Sequence, residues 1–185
     1  MMRQAETLLA RKEYDEAIKI LIKVLAFDED NLSASSHLAY AFLQTGEFRK
    51  AENLFKKVIE KKPKDPGILT NYALSIFEQK NESRIQDSIN ALKLATEIDS
   101  NNAHRYSNLG QSYFFAGDIP SAILAFEQAV RLQPKNIEFQ FFLADSLLLL
   151  DKYTEAKTVF SRILDISPLN KDAQEEIKNI EKMGY

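Results

Sequence analysis

Residues 103–136, AHRYSNLGQSYFFAGDIPSAILAFEQAVRLQPKN, decide how the rest of the chain is read. The apolar residues Leu109, Tyr113, Ile119, Ile123, Phe126 and Leu132 recur at helical spacing on either side of Ala116-Gly117-Asp118. That pattern predicts two short amphipathic helices joined by a tight turn. Gly110, Ala122 and Ala129 are small where two such helices must touch, and Pro134 follows the last turn, where a helix has commonly ended.

Moved along the chain in steps of 34, with one step of 37, this template covers most of it. One column of small residues reads Ala5, Ala39, Ala73, Gly110, Ala144, and a second reads Ala17, Ala51, Ser88, Ala122, Ala156. A bulky column reads Leu21, Phe55, Leu92, Phe126, Phe160, and a fourth Val24, Val58, Ala95, Ala129, Ile163. The turn column is Lys12, Gly46, Lys80, Gly117, Asp151, followed by apolar Tyr14, Phe48, Ile119 and Tyr153; in the third repeat that place falls to Ile85. The exit column is Glu29, Pro63, Ser100, Pro134, Pro168. All of the columns keep one register, so the repeat governs the fold.

The pattern resembles the tetratricopeptide repeat, a 34-residue helix-turn-helix unit, over residues 1–170. The fourth repeat carries it most specifically, in Leu109-Gly110, Tyr113, Ala122, Phe126, Ala129 and Pro134. The expected fold is therefore all-α: a right-handed α-solenoid, or superhelix, forming one domain over 1–185. Its repeats are set at 1–31, 32–65, 66–102, 103–136 and 137–170. Residues 171–185 are expected to form a capping helix, because Ile177 and Ile180 share one side and charged residues take the rest. The third repeat departs twice, with three extra residues near 80–84 and Ser100 at the exit, which predicts a looser loop between its helices.

Composition removes several function classes. The chain has 45% hydrophobic and 28% charged residues, as an ordinary folded protein does, and its net charge of −3 gives no footprint for nucleic acid. With no cysteine there is no thiol catalysis, thiolate metal site or disulfide framework. His37 and His104 stand two repeats apart, too far to share a metal, and no nucleophile or phosphate-binding motif is present, so no catalytic, metal or cofactor residues are assigned. The longest apolar run, Phe139 to Leu150, is shorter than the roughly 20 residues of a membrane span. Asn31-Leu32-Ser33 and Asn81-Glu82-Ser83 match the glycosylation pattern, which matters only in a secreted protein. The N-terminus lacks a signal core, so a cytoplasmic location is expected. The first repeat begins part-way through its first helix, which leaves a periplasmic or membrane-tethered location open if a leader precedes Met1.

The resemblance implies that the first helices line a concave groove holding a partner peptide or helix. Between their core columns lie Arg3 and Glu6; Ser36, His37 and Tyr40; Thr70, Asn71 and Leu74; and His104, Ser107, Asn108 and Gln111. Phe115, Glu138, Phe141, Phe142 and Asp145 complete the stripes. Asn71 and Asn108 hold equivalent places, and a carboxamide that donates and accepts suits the main chain of an extended ligand. Phe115, Phe141 and Phe142, with Leu148 and Leu149 behind them, predict an apolar contact. Adjacent Phe141 and Phe142 cannot both point fully inward, so at least one should reach the groove or a neighbouring helix. The places that hold Lys and Arg in chaperone-tail binders carry none here, which disfavours that ligand. The expected function is a non-catalytic protein-binding scaffold. Its rivals are a self-assembling oligomer and a substrate-selecting domain of a larger enzyme.

Overall fold

The computed structural model describes residues 1–185. Eleven α-helices and a 3₁₀ turn make up the chain: α1 Met2–Ala10, α2 Tyr14–Phe27, α3 Leu32–Gln44, α4 Phe48–Lys61, α5 Pro66–Phe77, the 3₁₀ turn Glu82–Arg84, α6 Ile85–Ile98, α7 Ala103–Phe115, α8 Ile119–Leu132, α9 Ile137–Leu148, α10 Tyr153–Ile166 and α11 Lys171–Lys182. They fall into two compact units, residues 1–100 and 101–185. Each unit is a stack of helix pairs, the all-α solenoid architecture expected from the columns.

Side-chain caps start the first helix of every pair after the first, and α11. Asn31, Asp65, Asn102, Asn136 and Asn170 each accept a backbone N–H from the first turn that follows. Such a cap contributes about 1 kcal/mol. This column keeps the repeat register, but it is polar and so lies outside the apolar and small-residue pattern. Capping also accounts structurally for Asn31 and Asn81, the two glycosylation-pattern asparagines. Asn81 Oδ1 accepts from Ser83 N–H at 3.1 Å and so caps the 3₁₀ turn, as Asn31 Oδ1 accepts from Ala34 N–H at 2.9 Å to cap α3.

The turn column is where the backbone becomes left-handed. Lys12, Gly46, Lys80, Gly117 and Asp151 have φ of 61°, 80°, 51°, 78° and 55°. Four of these turns close with a bond five residues back, such as Glu47 N–H to Phe42 O at 2.8 Å and Lys152 N–H to Leu147 O at 3.0 Å. That bond satisfies an otherwise orphaned carbonyl at the helix end. Only two of the five residues are glycine, so Lys12, Lys80 and Asp151 hold a conformation that disfavours side chains.

In the N-terminal unit the small columns are fully buried at Ala5, Ala17, Ala39, Ala51, Ala73 and Ser88, with Leu21, Phe55 and Leu92 filling the space between pairs. Ser88 Oγ donates to Ala73 O at 3.0 Å, so a polar residue in a small column still closes the α5–α6 contact. The three-residue insertion is an ordered element and not the looser loop expected. Its 3₁₀ turn delivers Arg84, whose Nη1 donates to the buried Glu52 of α4 at 2.9 Å. Gln79 Nε2 donates to the same carboxylate at 2.8 Å, and Arg84 also pairs with Asp87 at 3.1 Å. A buried carboxylate needs such partners, because unpaired it would be far costlier than an apolar residue.

In the C-terminal unit the glue is aromatic. A Cβ on Gly110 would come within 2.5–2.8 Å of ring carbons of Phe126, so only glycine lets that ring lie flat on α7. Phe126 in turn stacks on Phe142 with ring centroids 5.4 Å apart. Phe141 meets Phe160 edge-on at 6.0 Å. Helix α11 packs on α10, burying Ala173 and Ile180, and leaves Asp172, Gln174, Glu175 and Lys178 exposed.

Within each unit the first helices of successive pairs approach one another directly, α1 to α3 and α3 to α5 in one, α7 to α9 in the other. The second helices make no comparable approach, so the first helices line the tighter, inner side of each unit.

Candidate functional site: the inner faces of the two units

In the N-terminal unit the chain builds a cleft of about 320 Å³ between α3, α5 and the end of α4. Three of the residues singled out from the sequence, Ser36, His37 and Asn71, line it together with Ile68 and Lys62. The His37 Nδ1 atom is buried without a hydrogen-bond partner. The Asn71 side chain is half-buried on α5. Asp65 also borders the cleft, but its carboxylate is committed to capping α5 through Gly67 and Ile68 N–H, both at 3.0 Å. The other expected groove residues of this unit serve the fold. Thr70 Oγ1 donates to Pro66 O at 2.6 Å, Leu74 packs on the core, and Tyr40 meets Tyr14 edge-on at 6.3 Å. Burial, with Tyr14 alongside, pushes the Tyr40 hydroxyl above its ordinary pKa.

Lys62 is a cleft residue that sequence reasoning does not reach. It lies at the end of a second helix, outside the first-helix stripes. The signal for it is its position one residue before the exit proline, Pro63, where the chain turns back across the mouth of the pair.

The inner face of the C-terminal unit is built differently. Asn108 and Gln111 are half-buried on α7, and Gln111 Nε2 donates at 3.3 Å to Ser107, which is itself buried. His104 is exposed and lies edge-on to Phe139 at 5.1 Å. Phe115 is half-buried at the end of α7. Phe141 and Phe142 are both half-buried and both join the core cluster, so each ring shares its surface between packing and solvent. Leu148 packs on the same cluster while Leu149 is 58% exposed. Asp145 is an exposed residue on α9 whose carboxyl is partly desolvated, which pushes it above the usual carboxylate range, and the charge of Glu176 adds to the shift.

No group of three or more His, Cys, Asp or Glu side chains gathers where a metal ion could be held. No helix is long and apolar enough to cross a membrane.

Two matches to the tetratricopeptide repeat family cover residues 8–71 and 107–171. The chain is a tetratricopeptide repeat protein. It is 23% identical over 158 residues to Superkiller protein 3 of Saccharomyces cerevisiae, covering 82% of this chain and 11% of that one. With the TPR repeat-containing protein YpiA of Bacillus subtilis it shares 22% identity over 166 residues, 88% of this chain and 38% of the relative. The chain thus spans about a tenth of the length of Superkiller protein 3 and under two-fifths of YpiA. Among solved structures, MamA from Desulfovibrio magneticus RS-1 matches with a TM-score of 0.84 at 18% identity, over 92% of this chain and 94% of that one. YrrB, described as a TPR protein with an unusual peptide-binding site, matches with a TM-score of 0.79 at 15% identity, over 94% and 88%. These structures share the fold of this tetratricopeptide repeat protein. That fold is the scaffold of a protein-interaction module.

Proposed function

We propose that this tetratricopeptide repeat protein is a non-catalytic scaffold that receives a polypeptide segment on the inner faces of its first helices. The observation that carries the reading is the cleft in which His37, Asn71 and Ser36 converge. A peptide main chain offers alternating donors and acceptors, and the half-buried Asn71 carboxamide can answer both. In the C-terminal unit Asn108 occupies the place equivalent to Asn71, and the half-buried rings of Phe115, Phe141 and Phe142 offer apolar surface to a partner's side chains. A chain without cysteine suits the reducing cytoplasm.

The test is affinity capture followed by mass spectrometry, comparing the wild type with an Asn71→Ala, Asn108→Ala variant. Neither carboxamide hydrogen-bonds within its own unit, so the variant keeps its fold. One or more proteins recovered by the wild type should be lost by the variant. An identical set of captured proteins overturns the assignment of this face.

A further inference from the structure

The repeats act as internal controls for one another, and the outer side of α4 departs from the rest. The exposed charges on the second helices are otherwise mixed: Asp15, Glu16, Lys19 and Lys23 on α2, Asp87, Lys93 and Glu97 on α6, Glu155, Arg162 and Asp165 on α10. On α4 they are Arg49, Lys50, Lys56, Lys57, Glu60 and Lys61, and Lys62 and Lys64 follow in the loop. The whole chain carries −3, so this is a local concentration of positive charge. Among these cations only Lys50 has an ion-pair partner, Glu47.

The arrangement works against the helix that carries it. Helices α2, α6 and α10 place Asp or Glu in the first turn, where the dipole favours an anion. Helix α4, like α8, has no acid in its first turn, and it carries Arg49 and Lys50 there behind an N-cap Glu47. Lys57 and Lys61, four residues apart, share one face and repel each other. Glu47 at the N-cap offsets part of the first-turn penalty through Lys50, and the dipole favours Lys61 in the last turn. The remaining cations have no ion-pair partner within the unit, which a bound anion would supply.

We propose that the outer face of α4 docks an extended acidic segment of a partner polypeptide, at a site separate from the inner face. From Arg49 to Lys61 the strip runs about 18 Å, the reach of five or six extended residues. At its N-terminal end lies a pocket of about 420 Å³ lined by Gly46, Glu47, Phe48, Arg49, Lys50, Gln79 and Asn81. The Gln79 amide is taken up by Glu52 and Ser75 O, so Asn81 alone adds an amide donor there, and Glu47 is paired with Lys50. The strip is one helix wide between neighbours of mixed charge, so it fits a strand of peptide and not the broad field of a duplex. None of its exposed residues is aromatic, which removes base stacking, and none is a large apolar residue that could enter a lipid surface.

The experiment measures fluorescence anisotropy of a labelled Asp/Glu-rich peptide of about twelve residues at about 50 and 300 mM salt. Three proteins are compared: the wild type, Lys56→Gln/Lys57→Gln/Lys61→Gln, and a control with the same loss of charge elsewhere, Lys93→Gln/Lys135→Gln/Lys171→Gln. The wild type should bind more tightly at the lower salt. The strip variant should weaken binding about tenfold or more and the control less than about twofold. Asn71→Ala/Asn108→Ala should leave this binding unchanged, which separates it from the inner-face reading. The strip variant should melt no lower than the wild type, because repulsion along α4 has been removed. Absence of peptide binding, equal weakening by the control, or tighter binding of a single-stranded oligonucleotide or a phosphatidylserine vesicle overturns the proposal.

Discussion

The two units share a backbone plan and differ in what joins their pairs. In the N-terminal unit an electrostatic clasp, Arg84 and Gln79 on Glu52, links the third repeat back to the second. In the C-terminal unit the corresponding tie is a stack of rings, Phe126 on Phe142, made feasible by the missing side chain of Gly110. The contrast extends to the inner faces, polar and lysine-edged around His37 and Asn71, aromatic and acid-edged around Phe141, Phe142 and Asp145. The repeat columns therefore constrain how helices approach and leave the chemistry of the join, and of the exposed face beside it, free to differ.

Phe126→Ala should break the aromatic side of this contrast with the largest effect, about 3–5 kcal/mol. Hydrogen exchange should show α7, α8 and α9 losing protection. Equal loss across residues 1–100 would mean that the stack is not local to its unit. On the polar side, Arg84→Met leaves Glu52 buried without its cation and should cost about 1–3 kcal/mol in chemical denaturation. Adding Glu52→Leu should restore much of it, since removing both charges is far cheaper than stranding one. A further fall in the double variant would refute the clasp.

The backbone plan itself is the legible part. Columns of small and bulky residues disclose the pairs because packing between neighbours is periodic, and Ile85 stands in the sequence where α6 begins. The joins are not legible. Arg84 and Glu52 are 32 residues apart and belong to no shared column, so the insertion looks like slack where the structure has a folded turn. Phe142 reads as a groove residue, yet it stacks on a ring whose position depends on Gly110 in a third helix. The caps at Asn31, Asp65, Asn102, Asn136 and Asn170 are visible in principle, being polar residues in strict register, but columns of apolar and small residues do not contain them.

Smaller effects sharpen the comparison. Asn136→Ala removes the cap of α9 and should cost about 1 kcal/mol, with faster exchange confined to the first turn of that helix. Asp145→Asn should have the smallest effect and the opposite sign. The raised carboxyl pKa means that the folded state penalises the ionised form. The contribution of Asp145 is therefore most favourable below the unfolded value of about 3.9 and is lost as pH rises through the folded value. The variant should melt slightly higher than the wild type at neutral pH, and the advantage should vanish in acid. A gain that persists unchanged at low pH would show that charge is not its cause.

The most direct measurement of the inner-face reading is an NMR titration of the labelled chain with a partner recovered by affinity capture. The account predicts shifts at Ser36, His37 and Asn71, including the Asn71 side-chain amide. Shifts confined to the second helices, with these three residues unmoved, would contradict it.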